Sequence, residues 1–505
     1  MKLKLGTRKS LLAWAQSGWV AREIERLNPG VEVELVGIET RGDKILDVSL
    51  QSVQGKEFFV GELDEALRSG KVDLTVHSMK DLSLERPPEF VCAAVPRREN
   101  PRDVVLFGPG ILEKIEAGKR ITIGTSSPRR LENIPGFLEK ALPRLGHFAP
   151  HVECVDIRGN VNTRLSRVHE SPGSPRYLDG VALAFAGLIR LWADPAGQTE
   201  MKKLLQGVRW MVLPLKESPA APAQGALAVE CRIQDECVRK ILSPLHDPKT
   251  DRQVRMEREL LARWGGGCHQ RFGATAISHS ELGDLLFVRG VIPDGSFVDE
   301  LKWKDPATAK HVVSWDGSEW PLKKVALPLS ESPLEKRAVF IAHARALPLE
   351  WVSSARDARV WVSGASSWFQ LAKQGVWVEG CAERLGFEHL TPILKEQILE
   401  LPPPNEWVIL THQAAHGDWR TAQAIATYRL EPVRDENAVT RLRTATHVFW
   451  SSGSQWDELK GYAAPGVQHA CGPGKTATHL RAGGIEPHVF PSVTEWRKAV
   501  KNGSK

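Results

Sequence analysis

A chain of 505 residues is too long for one hydrophobic core and sets an expectation of roughly three to five domains. Its net charge of +6 is mild for that length, and the basic residues that stand out are separate arginines at turns, a pattern suited to small anions rather than nucleic acid. Seven scattered cysteines with no Cys-x-x-Cys pair argue against a disulfide framework or a structural zinc site, and no apolar run reaches membrane-spanning length, so a cytoplasmic protein with no metal and no membrane partner is expected.

Leu3 to Leu5 reads as a short strand, Gly6-Thr7-Arg8-Lys9-Ser10 as a turn, and Leu11 to Leu27 as a helix that stops at Asn28-Pro29-Gly30. Val31 to Ile38 is the next strand. The same unit then recurs, a buried-looking strand running into a polar turn. Val72 to Val76 leads into His77-Ser78-Met79-Lys80-Asp81, and Ile121 to Ile123 leads into Gly124-Thr125-Ser126-Ser127-Pro128-Arg129-Arg130. Val152 to Ile157 leads into Arg158 through Arg164, and Val181 to Phe185 into Ala186-Gly187-Leu188-Ile189-Arg190. Strands alternating with helices predict α/β layers with parallel sheets, whose ligands gather at the carboxyl ends of the strands.

Pro214 to Ala223 reads as a crossing between domains, and a smaller α/β unit follows from Gly225 to about Val313. Beyond residue 300 the composition shifts, because 12 of the 17 tryptophans lie there. Pro321 to Pro333 reads as a linker. The remainder carries a loose repeat: Val360 to Cys381 and Val448 to Gly472 each run strand, small-polar turn, helix, strand, which predicts two similar lobes.

In the turn before Arg129, Ser127 suits a helix cap and Pro128 the first helical position. Two arginines in a first turn oppose the helix dipole unless an anion lies there too; the alternative is a solvated pair. Arg8, Arg158 and Arg164 repeat the pattern, and forked guanidinium donors suit carboxylates. Phosphate is the poorer choice because Gly474-Lys475-Thr476 lacks the opening glycine of a phosphate loop. Lys80 and Asp81 reach the cleft rim together, as a structural ion pair or as a carboxylate able to stabilise a cation. His77 reads as a packed, hydrogen-bonded residue. Cys268 follows Gly265-Gly266-Gly267, which lets a large group approach the sulfur; burial as a small hydrophobe, or thiol catalysis with a poorly placed His269, are the other readings. Together these residues point to a tethered ligand with many carboxylates.

About the first 315 positions resemble hydroxymethylbilane synthase, also called porphobilinogen deaminase. The resemblance lies in Gly6 to Ser10, Thr40-Arg41-Gly42-Asp43, Gly55-Lys56 with Phe59 and Glu62-Leu63, Val76 to Asp81, Pro101-Arg102-Asp103, Gly124 to Arg130, Arg158 to Arg164, Ala186 to Leu188, Pro222 to Leu227 and Gly266-Gly267-Cys268. It implies a core of two domains like a periplasmic binding protein, with a third domain carrying a dipyrromethane cofactor on Cys268 through a thioether. It also implies Asp81 as the catalytic carboxylate, assisted by Lys80. Arg129, Arg130, Ser127, Arg158 and Arg190 would hold the cofactor, and Arg8, Ser10, Arg158 and Arg164 the substrate. In that family porphobilinogen loses ammonia to give a cation that the growing pyrrole chain attacks, so each step adds carboxylates for arginines to bind. Ser83, Gly61 and His269-Gln270-Arg271 depart from the family pattern.

Residues 336 to 505 resemble uroporphyrinogen-III synthase through Trp450-Ser451-Ser452-Gly453-Ser454, Gly472 to Ala477 and Gly484-Ile485-Glu486-Pro487. That resemblance implies Thr476 and Ser452 in a cleft between lobes. The tyrosine that the family often places after its central strand is not evident, since Tyr428 falls earlier. The domains expected are 1–99 with 200–217, then 100–199, a cofactor-attachment domain at 218–315, a linker at 316–335 and a two-lobed 336–505. The function expected is a monomeric, bifunctional enzyme that condenses porphobilinogen and then closes the ring. The alternatives are a deaminase with a non-catalytic appendage and a carboxylate-binding sensor without catalysis.

Overall fold

The structure is a computed structural model that describes residues 1–40, 60–266, 270–304, 312–318, 320, 322–419, 422–433 and 435–502. Arg41 to Asp43, Gly55, Lys56, Phe59, Gly267, Cys268 and His269, all singled out above, lie outside the described residues. The chain divides into two compact units: Met1–Glu139, Gly146–Ile277 and Leu286–Leu301 form one, and Lys140–Leu145, Ser278–Leu285 and Lys302–Lys505 the other.

In the first unit, β1 (Lys2–Arg8), β2 (Glu32–Ile38), β3 (Leu74–Ser78) and β4 (Phe90–Ala94) start one sheet. The chain then builds a second sheet from β5 (Asp103–Phe107), β6 (Ile121–Gly124), β7 (Val152–Val155), β8 (Gly180–Ala184) and β9 (Arg209–Val212), and β10 (Leu227–Arg232) returns to the first. The orders are β2-β1-β3-β10-β4 and β7-β6-β8-β5-β9. Two expectations change here. Each sheet is mixed rather than parallel, because β10 runs against β3 and β4, and β5 against β8 and β9. The return to the first sheet also comes later than 200–217: β9 pairs with β5 in the second sheet, and the strand that rejoins the first is 227–232. Both strands are short and apolar, and such a pattern does not say which sheet a strand joins.

The local causes are plain in the first βα unit. Leu3 and Leu5 alternate inward along β1 and are fully buried, at roughly 2 kcal/mol each. Ser10 caps the helix Leu11–Leu27 by accepting the Ala13 N–H at 3.3 Å. The helix buries Val20, Ala21 and Ile24 against Leu3, Leu5, Leu74 and Val229. It stops where the Asn28 side chain donates to Ile24 O at 2.9 Å. Beyond the two sheets, the helix Pro248–Arg263 leads to a three-stranded sheet of β11 (Arg271–His279), β12 (Gly283–Val291) and β13 (Phe297–Lys302).

The second unit holds a six-stranded and a four-stranded sheet. Its strands are β14 (Ser314–Trp315), β15 (Leu322–Ala326), β16 (Ala338–Ile341), β17 (Arg359–Val362), β18 (Val378–Cys381), β19 (Val408–His412), β20 (Gln423–Pro432), β21 (His447–Trp450), β22 (Gln468–Cys471) and β23 (His488–Val489). The orders are β15-β20-β19-β16-β17-β18 and β14-β21-β22-β23. The repeat read from the sequence forms β17, helix Ala365–Ala372, β18 in one sheet and β21, helix Gly453–Leu459, β22 in the other. The stretch expected as a linker, 316–335, instead supplies β15, which pairs antiparallel with β20 at a sheet edge. Its lysines and mostly exposed side chains gave no alternation to read, as is common for edge strands. Tryptophans form much of this core: Trp361, Trp368, Trp407 and Trp450 are fully buried. Three of their indole N–H groups reach Glu379 Oε2 at 3.2 Å, Pro402 O at 2.9 Å and His469 Nδ1 at 3.0 Å, as buried indoles require.

Candidate active site

The polar turns of the first unit converge. Lys80 and Asp81 end β3 in a three-residue turn, Met79–Asp81, whose start is held by Met79 N–H donating to Ala226 O at 3.0 Å. Asp81 is exposed and Lys80 half-buried. Burial lowers the Lys80 pKa, Asp81 opposes that, and Arg130, Asp103 and Arg129 also act on it. A lysine from the first sheet therefore feels the charges of the second.

Those charges form a buried cluster. Pro128 opens the helix Pro128–Ala141, and Ser127 precedes it with its carbonyl accepting Leu131 N–H at 3.0 Å. The Ser127 N–H donates to Thr125 Oγ1 at 3.3 Å. The anion expected beside Arg129 and Arg130 is a protein group, Asp103, which is fully buried at the head of β5. Arg129 Nη1 lies 2.7 Å from Asp103 Oδ2 and donates to Pro219 O at 2.8 Å. Arg130 donates to Asp103 Oδ1 and to Ala182 O, both at 2.8 Å, and Gln224 Nε2 donates to Asp103 Oδ1 at 2.8 Å. Burial pushes the Asp103 carboxyl up, but Arg129 and Arg130 overcome it and hold the group well below the usual carboxylate range. Sequence reasoning had not singled out Asp103 for chemistry. Its signal was one acid at the start of a wholly buried run, Asp-Val-Val-Leu-Phe, since such an acid must be paired.

Arg190 is also buried and donates to Gly225 O at 2.6 Å; burial lowers its pKa to about 10, with Glu99 opposing. Gly225 adopts φ +86°, and a Cβ there would lie 2.7 Å from Glu99 O, so glycine is required at that bend. Ala223, also at positive φ (63°), is held by Glu257, which accepts its N–H at 2.5 Å while pairing with Arg98 at 2.6 Å. Arg8, Arg158 and Arg164 are half-buried. Arg164 donates to Gly159 O at 2.8 Å, and burial, then Arg130 and Arg158, lower its pKa to about 10. Ser10 is occupied as a helix cap.

Lys80, Arg129, Arg130, Arg158 and Arg164 thus act on one another's neighbourhood alongside the acids Asp81, Asp103 and Asp156. The Nε atoms of Arg129 and Arg130 are buried without a hydrogen-bond partner. The excess of cations over acids in this neighbourhood fits a ligand bearing carboxylates. Cys268 lies outside the described residues; the glycines before it, Gly265 and Gly266, take φ +89° and +64°, conformations other residues resist.

His77 is buried among Thr75 Oγ1 at 3.0 Å and Glu230 at 3.4 Å, as expected of a packed histidine. Asp64, His77 and Glu230 bring their ligand atoms together, but a guanidinium lies among them: Arg86 Nη2 is 2.6 Å from Asp64 and 2.7 Å from Glu230. Burial, reinforced by Arg86, lowers the His77 pKa to about 4. An unfolded imidazole titrates near about 6.5, so between these values only the unfolded chain binds the proton. The stability His77 contributes is complete above about pH 6.5 and is lost as pH falls toward 4, by about 2 kcal/mol between pH 7.5 and 5. Urea unfolding at those two pH values measures this loss, and His77→Gln is expected to lack that share of it.

In the second unit a cavity of about 400 Å³ is lined by Trp320, Leu322, His412, Arg429 and Leu430 together with Ser454, Gln455 and Glu458. Ser454, rather than Ser452 or Thr476, faces it among the described residues. Ser452 caps the helix Gly453–Leu459 by accepting Gln455 N–H at 3.2 Å, and Thr476 sits in the first turn of the helix Lys475–Ala482. Among the described residues no helix is long and apolar enough to cross a membrane.

The family description "Porphobilinogen deaminase, dipyromethane cofactor binding domain" matches residues 3–240. The porphobilinogen deaminase of Syntrophotalea carbinolica is 38% identical over 311 residues, 61% of this chain and 89% of that protein. That of Geobacter sulfurreducens is 40% identical over 58% of this chain and 81% of that protein. Among solved structures, the methionine-binding protein MetQ covers 52% of this chain and 94% of its own at 12% identity and a TM-score of 0.27. With relatives this similar matched over most of their length, the chain belongs to the porphobilinogen deaminase family, with that activity in tetrapyrrole biosynthesis and a domain that binds a dipyrromethane cofactor.

Proposed function

We propose that this chain is bifunctional: it condenses four porphobilinogen molecules into hydroxymethylbilane with release of ammonia, then cyclises that product to uroporphyrinogen III. Cys268 is assigned as the attachment point of the cofactor, which supplies the pyrrole carbon to which new units are added. Arg129, Arg130, Arg158 and Arg190 are assigned to its carboxylates, with Ser127, and Arg8, Ser10 and Arg164 to those of the incoming substrate. In this reading Asp103 holds Arg129 and Arg130 in fixed orientations, which lowers the side-chain entropy lost when a carboxylate binds beside them.

Asp81 is assigned to the reacting centre. Its exposed carboxylate can approach the substrate's pyrrole N–H and stabilise positive charge as the aminomethyl group leaves as ammonia. Lys80, beside it, is positioned to orient a carboxylate or pass a proton.

For the second activity the supporting observation is the cavity of the second unit, whose lining includes the basic side chains His412 and Arg429 beside the hydroxyl of Ser454. A linear tetrapyrrole with many carboxylates suits a guanidinium and an imidazole on one lining. Ser454 replaces Ser452 as the helix-borne hydroxyl assigned to it, and Thr476 remains assigned to its rim.

The test is the isomer formed when porphobilinogen is the sole substrate. The type III ring is expected to predominate. Predominance of the type I ring, which arises by spontaneous closure, would reduce the second unit to an appendage.

A further inference from the structure

One guanidinium ties the loop carrying Asp81 to the helix that leads toward Cys268. Arg258 lies in the helix Pro248–Arg263, about a turn and a half before its end. Its Nη1 donates to Met79 O at 3.0 Å and Leu82 O at 3.2 Å, and its Nη2 donates to Ser83 O at 2.8 Å. These carbonyls bracket Asp81 on both sides. The turn Met79–Asp81 has only three residues, too few for a helical ladder to hold it in place. The position of the carboxylate therefore depends on what grips its neighbours.

A second contact joins the same two segments. A Cβ at Gly266 would lie 3.2 Å from Leu84 Cδ1, so the glycine turn packs against the loop just past Asp81. Gln270 Nε2 donates to Gly266 O at 2.9 Å and braces that turn from its far side. Met79 and Leu82 are themselves buried, so the loop is clamped between its own core and Arg258.

We propose that Arg258 is a positioning residue for the deaminase reaction, holding Asp81 in register with the turn that bears the cofactor. The planar guanidinium suits this task, because it spreads donors fixed in one plane over Nη1 and Nη2, whereas an ammonium offers a single nitrogen on a flexible stem. The proposal rests on the assignment of Asp81 as the carboxylate at the reacting centre.

The test is steady-state turnover of porphobilinogen by the full-length holoenzyme carrying Arg258→Gln, Arg258→Lys, Asp81→Glu, or Asp81→Glu with each Arg258 change. Arg258→Gln is expected to lower kcat about tenfold to a hundredfold with KM within about twofold, since a displaced catalytic group costs rate rather than binding. Arg258→Lys recovers part of that loss, and intact mass shows the dipyrromethane adduct in both. On Asp81→Glu, where the carboxylate is already displaced, the Arg258 changes cost less than about twofold more. Wild-type kcat in Arg258→Gln, a loss that multiplies fully onto that of Asp81→Glu, or a missing adduct would overturn the proposal. Should Arg258→Gln not fold, Arg258→Lys carries the same comparison. Wild-type turnover by Asp81→Glu instead removes the Asp81 assignment, an outcome distinct from any failure at Arg258.

Discussion

Asp81→Ala is expected to release ammonia from porphobilinogen at least about a thousandfold more slowly than the native chain, with its unfolding free energy within about 0.5 kcal/mol. The two halves of this result have separate causes. Asp81 is exposed at the end of a three-residue turn, and the turn is held through backbone carbonyls, which alanine retains. Stability should hardly respond. Catalysis should respond strongly, because a carboxylate fixed beside a developing cation is worth several kcal/mol where water is partly excluded. Ammonia release and urea unfolding on the same preparation check both, and turnover within about tenfold of native would remove Asp81 from the chemistry.

The opposite pairing is expected at Asp103, where the first effect is on the fold. Asp103→Ala leaves Arg129 and Arg130 buried at 2% and 5% exposure with their shared counter-charge gone, and strips Gln224 of an acceptor. Removing one member of a buried ion cluster costs about 3–5 kcal/mol, since the remaining charges can neither solvate nor pair. Asp103→Asn should cost nearly as much: it keeps the volume but loses the charge. The native carboxyl titrates below its unfolded value, so this stabilisation is present above about pH 4 and fades as pH falls below that. Urea unfolding at pH 7 is the measurement, and a loss under about 1 kcal/mol would mean that the arginines find other partners.

What was legible in the sequence was local. β3 running into Lys80-Asp81, Ser127-Pro128 opening the helix of Arg129 and Arg130, and Ser10 capping Leu11–Leu27 each follow from side-chain alternation and cap chemistry acting over a few residues. Even the loose repeat of the tryptophan-rich half could be read, since both copies carry the same strand, turn and helix pattern. The edge strand Leu322–Ala326 could not, because an exposed lysine-bearing strand owes its place to the neighbour it bonds.

By itself, then, the sequence determined which side chains are delivered to strand ends and what ligand chemistry they suit. Only the tertiary structure decided their partners: that Asp103 neutralises Arg129 and Arg130, that residues 227–232 re-enter the first sheet, and that Arg258 grips the loop of Asp81. The physical reason is that pairing between distant residues is set by the cost of burying an unmatched charge or an unpaired strand. That cost exists only once the chain has closed around them.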